Sequence, residues 1–272
     1  MNQSRLTFIM LRIKRLGTPM FFFILLLFFI RTGWTQEGEK KIDASKPTNL
    51  YTQLNNAFEV AKNVNGNYLY GYRASFQLAS GDQHHLAFVE IPLLYNDRTS
   101  AFGLSDIRVR YFGITHKDYS KTFGGVWAGS IDIFAPTGKF EDGLGTGRWI
   151  VAPGLVTGII FSKKFQTFPI VSYQYMSKPT SSSIPESQKK VRHGMTFQAI
   201  TVLNFNTWFM WITPIYVIPD LSDSNIKDRF IIELIPSLPA MGDKFKYRPS
   251  AFFRYDFRNE SFQARVALVL YL

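Results

Sequence analysis

The chain has 272 residues, 46% of them hydrophobic and 16% aromatic, with no cysteine and a formal charge of +11. A mean hydropathy of -0.03 is too polar for a bundle of membrane helices, and the aromatic content is too high for a disordered chain. The lack of cysteine excludes disulfide scaffolds, thiolate metal sites and cysteine nucleophiles.

The first 35 residues contain Arg5, Arg12, Lys14, Arg15 and Arg31 and not one acid. An apolar run from Met20 to Ile30 follows the basic stretch, which predicts a signal peptide over 1–35 cleaved near Thr35 or Gln36. The run is shorter than the roughly 20 residues a spanning helix needs. Its removal takes five positive charges away, so the excess falls from +11 to +6. Nucleic acid is therefore not an expected partner of the exported protein. Residues 36–50 are polar and aperiodic, and read as a flexible periplasmic lead-in.

From Tyr51 to Leu272 the chain alternates apolar and polar residues in segments separated by turn clusters. The clearest segment is Lys244 to Phe257. One parity carries Phe245, Tyr247, Phe253, Tyr255 and Phe257, and the other Lys246, Arg248, Arg254 and Asp256. A greasy face sustained for that length suits a strand that spans a membrane. Strands are predicted near 68–79, 83–95, 102–114, 123–135, 147–161, 165–177, 193–205, 207–218, 228–238, 244–257 and 261–272. An even count needs one more, and 51–62, a weak strand pattern, is the only candidate that supplies it. The expectation is an all-β, closed antiparallel transmembrane β-barrel over 51–272 with about 12 strands, or alternatively 10.

Connections alternate in length. Tight turns are expected at Gly81-Asp82, Ser162 to Lys164, Asn204 to Asn206 and Gly242-Asp243. Long loops are expected at Pro136 to Thr146, Ser177 to Arg192 and Pro219 to Asp228. Outer-membrane barrels have short periplasmic turns and long external loops. Two places break the pattern: Arg258 to Glu260 is short for an external loop, and His116 to Thr122 is long for a periplasmic one.

The polar parity defines the residues expected to line the lumen: Arg73, Glu90, Asp106, Arg108, Arg110, Asp132, Arg229, Glu233, Arg248, Arg254, Asp256 and Arg265. Two readings stay open for them. The mixed signs pair and close a narrow bore, or the arginine excess forms a constriction that favours anions. The histidines are His84, His85, His116 and His193, and none has a serine partner that would suit a lipid-modifying enzyme. His84 and His85 are neighbours on a strand and face opposite ways, which does not suit a metal. Gly143 to Arg148 (GLGTGR) lacks the lysine and following helix of a phosphate loop and reads as part of an external loop.

Four short motifs carry a resemblance. They are Gly103 to Asp106, with Ser105 in place of a second glycine, Pro136-Thr137-Gly138, Leu144-Gly145-Thr146-Gly147 and Pro153-Gly154. In these the chain resembles the phenol-degradation meta-pathway family of transporter-like outer-membrane β-barrels, over Tyr68 to Leu272. The resemblance implies passive passage of small, hydrophobic or aromatic molecules, with no cofactor, no metal and no catalytic residue. The implied partners are outer-membrane lipid, the barrel-assembly machinery and a small solute whose identity and whose oligomeric carrier state the residues leave open. The alternatives are a closed structural or loop-presenting barrel and an outer-membrane lipid-modifying enzyme.

Overall fold

The computed structural model describes residues 42–243 and 245–272. The expected signal peptide and the start of the lead-in lie outside these described residues. Thirteen strands form: β1 Gln53–Lys62, β2 Tyr68–Ala79, β3 His85–Asn96, β4 Ala101–Leu104, β5 Ile107–Lys117, β6 Phe123–Ala135, β7 Ile150–Ile160, β8 Phe165–Met176, β9 Arg192–Asn204, β10 Phe209–Ile218, β11 Arg229–Ser237, β12 Tyr247–Asp256 and β13 Ser261–Tyr271. All neighbours pair antiparallel, and β1 pairs with both β2 and β13, so the sheet closes on itself. Both β4 and β5 pair with β3; they are one barrel strand broken at Ser105 and Asp106. The barrel thus has 12 strands, and closure rests on β1, the weakest of the expected strands.

Alternation explains the two faces of the wall. Phe58, Leu155 and Val266, from three different strands, are 73%, 72% and 72% exposed on the outside. Residues of the other parity on the same strands, such as Glu59, Val156 and Val269, are buried inside the ring. A soluble protein would not present such a continuous apolar outer surface. The barrel inverts the soluble arrangement.

The long connections, 136–149, 177–191 and 219–228, all leave from one end, called outer here. The start of β1 and the end of β13 lie at the inner end. β5 runs on to Lys117, so its inner link to β6 shrinks to 118–122 and the apparent exception disappears. The inner link 238–246 is longer than the tight turn expected at Gly242-Asp243. There Met241 bridges to Tyr247, and Gly242 has a φ of +91°, the left-handed region that favours glycine.

Candidate functional site

The outer half of the bore is charged, and the strand register decides which charges meet. Glu59 stands opposite Arg265, Arg110 opposite Asp132, and Glu233 opposite Arg254. Opposite signs facing each other across strands support a sheet, and burial strengthens the attraction. Glu59, with its side chain 1% exposed, receives Arg73 Nε at 2.8 Å and Nη2 at 2.9 Å, and lies 3.0 Å from Arg265 Nε. Arg73 also reaches Glu90 at 2.7 Å, and Gln263 donates to Glu59 at 3.1 Å. These four charges cancel.

A second group does not cancel. Asp132 accepts from both Arg108 Nε at 2.8 Å and Arg110 Nε at 2.9 Å, so two guanidiniums share one carboxylate. Arg229 pairs with Asp256 at 2.5 Å and Arg254 with Glu233 at 3.3 Å. On the ring, β5 and β11 are six strands apart in either direction, yet Arg108 lies within electrostatic reach of Glu233 and Arg254. The long charged side chains therefore extend toward one another across the bore. Facing them on β6 to β9 are short side chains, Ser130, Ala152, Gly154, Ser172 and Thr196.

The inner half is apolar. Ile114, Val126, Val156, Phe168 and Val202 pack together inside the ring near its inner end, and Leu50 from the lead-in joins them, 4% exposed. Leu50 belongs to a strap, residues 43–52, held on several sides. Trp211 Nε1 on β10 donates to Ser45 O at 3.0 Å. Lys117 Nζ at the end of β5 donates to Thr48 O at 2.8 Å, and the Thr48 and Tyr119 hydroxyls hydrogen-bond. Lys46 Nζ sits 4.7 Å over the Tyr119 ring, and Tyr51 meets Tyr271 edge-on at 5.6 Å. Burial pushes the Tyr119 hydroxyl up to about 12, so it stays protonated. Since β5 and β10 stand nearly opposite on the ring, the strap crosses the inner mouth. The segment read as a flexible lead-in is, from residue 42 on, folded against the barrel.

Asp106 departs from its expected place among the lumen charges. It sits in the break between β4 and β5, where its carboxylate accepts from Gly138 N at 3.1 Å, Thr146 N at 2.7 Å and Thr146 Oγ1 at 2.8 Å. Ser105 Oγ donates to Leu144 O at 2.5 Å, and Thr137 Oγ1 donates to Ser105 O at 2.7 Å. Three of the four short motifs converge on this knot. A Cβ on Gly145 would collide with the Asp106 carboxylate, which explains the glycine. Asp106→Ala is expected to speed tryptic cleavage at exposed Lys139 on the order of tenfold, about one net hydrogen bond, with barrel melting unchanged. Unaltered cleavage would show that the loop does not depend on this carboxylate.

The loop so anchored is tied to the next one. Glu141 accepts hydrogen bonds from Ser181 and Ser183, and Thr180 N donates to Gly147 O at 2.8 Å. The Ser181 bond above all holds the Glu141 carboxyl below its ordinary value. The tie is complete at neutral pH and is lost as pH falls through that depressed value.

Two solved structures share this architecture over most of the chain. An outer membrane channel from Pseudomonas putida F1 matches with a TM-score of 0.55 and 9% identity, over 88% of this chain and 100% of its own. The KdgM porin in complex with disordered oligogalacturonate matches with a TM-score of 0.51 and 10% identity, over 80% and 98%. The fold is that of an outer-membrane β-barrel. No protein-family model matches the chain, and no curated protein does. The phenol-degradation resemblance is thus supported as far as the barrel class.

An outer-membrane barrel needs amphipathic rings where its wall meets the headgroups. His85 Nδ1 hydrogen-bonds the Tyr111 hydroxyl at 2.7 Å near the inner end, and His193 bonds Tyr173 near the outer end. Both pairs are stacked on the outside of the wall. Among the described residues no group of three His, Cys, Asp or Glu is placed to hold a metal.

Sequence reasoning missed Glu59, a buried acid of the bore, because β1 was the faintest strand. The signal was there: Ala57, Glu59 and Ala61 alternate with Phe58 and Val60. It also missed Lys117, Tyr119 and Trp211, whose role depends on a strap that no local pattern announces.

Proposed function

We propose that the chain is a passive outer-membrane channel for small molecules, favouring anions, and narrowed at its inner mouth by the strap 43–52. The observation that carries the reading is the uncancelled charge at Asp132. Arg108 and Arg110 share that single carboxylate inside a closed barrel, which leaves a fixed positive charge where the wall opposite is short and neutral. Arg110 is the more accessible of the two, its side chain 35% exposed against 25%. Electrostatic complementarity and a narrow bore are enough for this mechanism; no cofactor takes part. By resemblance, the solute class extends to hydrophobic or aromatic molecules. The structural likeness to an outer membrane channel and a porin supports the channel class.

Gating belongs to the strap in this reading. The loops 136–149 and 177–191 are tied to each other, and the first of them to Asp106, so they form a fixed rim. That tie also favours the second reading, a closed barrel that presents its loops. Liposome swelling with graded neutral and anionic solutes separates them, since a closed barrel admits none. In planar bilayers the parent protein is expected to prefer chloride to potassium, and Arg110→Gln to lose most of that preference. An unchanged reversal potential in Arg110→Gln would remove the charge at Asp132 from the mechanism.

A further inference from the structure

The outer mouth of the bore has a low side. The long loops join β6 to β7, β8 to β9 and β10 to β11, whereas β1 turns into β2 over 63–67 and β12 into β13 over 257–260. Beside these two short links lies an open recess of about 240 Å³, walled by the end of β1, the start of β11 and the facing ends of β12 and β13. One rung of the register crosses it: Ala61 stands opposite Gln263, Gln263 opposite Arg254, and Arg254 opposite Glu233. Ala61 and Ser261 line the recess with small side chains, and that leaves the space. A water's share of the liquid is about 30 Å³, so the recess has room for roughly eight waters or a solute of that size.

The acids of this corner are buried and the bases are not. Asp256, its side chain 3% exposed, is fully engaged. It accepts from Arg229 Nε at 2.8 Å, from Asn259 Nδ2 at 2.9 Å and from the backbone amides of Arg258 and Asn259, each at 3.1 Å. Arg229 and Arg254 line the recess with side chains 34% and 39% exposed. Arg254 has Glu233 at 3.3 Å and makes no side-chain hydrogen bond among the described residues. Arg229 turns Nε and Nη2 to Asp256, which leaves Nη1 without a partner among the described residues. Lys62 lines the same recess and has no ion pair among the described residues.

The two amides are oriented by the same acids. Gln263 Nε2 donates to Glu59 at 3.1 Å and Asn259 Nδ2 to Asp256. A carboxylate accepts only, so each amide must offer it the nitrogen and keep its oxygen for something else. Cationic donors and neutral acceptors thus line one water-accessible space.

We propose that this recess is an outer-mouth binding site for a short hydroxylated carboxylate. The carboxylate lies between Arg229 and Arg254, whose planar donors match it. The hydroxyls donate to Asn259 Oδ1 and Gln263 Oε1. A halide fills too little of the space, and an unsubstituted fatty acid would cover both amide oxygens without bonding them, which is costly. The site rests on the channel reading for its place on the entry side, and deepens it by naming a solute class. Its test needs no current to flow.

The test is calorimetric titration of the detergent-solubilised full barrel with glycerate, butyrate, glycerol and chloride. Glycerate is expected to bind saturably, butyrate about tenfold more weakly, and glycerol, which lacks the charge, not at all. Arg254→Gln is expected to weaken glycerate at least about tenfold, and Ala61→Leu, which fills the recess and leaves every charge in place, by a similar factor. Heat-modifiable gel mobility checks that each variant is folded; if Arg254→Gln does not fold, Ala61→Leu and the ligand series decide. Glycerate binding unchanged in the folded variants, glycerol or chloride binding like glycerate, or butyrate binding as tightly would each overturn the proposal. If glycerate binds as expected but bilayers show no conductance, the channel reading fails and the site stands.

Discussion

Deletion of residues 43–50 is expected to raise single-channel conductance several-fold, with the barrel still inserting and keeping its heat-modifiable mobility. The reason is geometric. The strap reaches from Lys117 and Tyr119 beside β5 to Trp211 on β10, nearly opposite on the ring, and drops Leu50 into the apolar packing of the inner half. No strand pairing of the barrel depends on it, since β1 begins only at Gln53. A reversible version of the test is clean because the chain has no cysteine. Thr48→Cys with Tyr119→Cys, joined by a bismaleimide long enough to span the former side chains, is expected to hold the low-conductance state. Adding Trp211→Ala without the cross-link is expected to favour the open one. A deletion variant with parental conductance would show that the strap covers nothing that solutes use.

Loss of Glu59 is expected to be the most damaging single change in the bore. Glu59→Ala leaves Arg73 and Arg265 facing each other around a vacated, buried position, with Glu90 alone to serve both. Breaking a buried ion pair by removing one partner costs about 3–5 kcal/mol, because the remaining charge is uncompensated. The folded band on an unboiled gel is therefore expected to disappear at a clearly lower temperature than in the parent. The partner experiment is Glu59→Leu with and without Arg265→Met. Removing one charge of each sign keeps the network neutral, so the double variant is expected to lose less than Glu59→Leu alone. If the single variant melts like the parent, the network adds nothing measurable to the barrel.

The outer and inner faces of the wall were legible in the residues. A strand sends successive side chains to opposite sides whatever it pairs with, so Phe253 and Tyr255 against Arg254 and Asp256 announce two solvents from sequence alone. The same rule misplaced Asp106. It shares parity with Arg108 and Arg110, but the strand breaks just before Ile107, and a carboxylate at a break is free to turn to the loop above. It also hid the apolar inner layer, where Ile114, Phe168 and Val202 face inward like the charges further out. There both parities are greasy and alternation carries no signal.

What the sequence determined by itself is the class of the wall: alternating strands, long loops at one end and a charged interior parity. Those features are local, set by backbone geometry over two residues or by composition over a segment. Only the tertiary structure decided the strand count, since closure depends on β1 meeting β13 from the far end of the chain. It alone decided which charges cancel. The register across separate strands gives Glu59 two arginines, gives Asp132 two more, and leaves Arg248 with none.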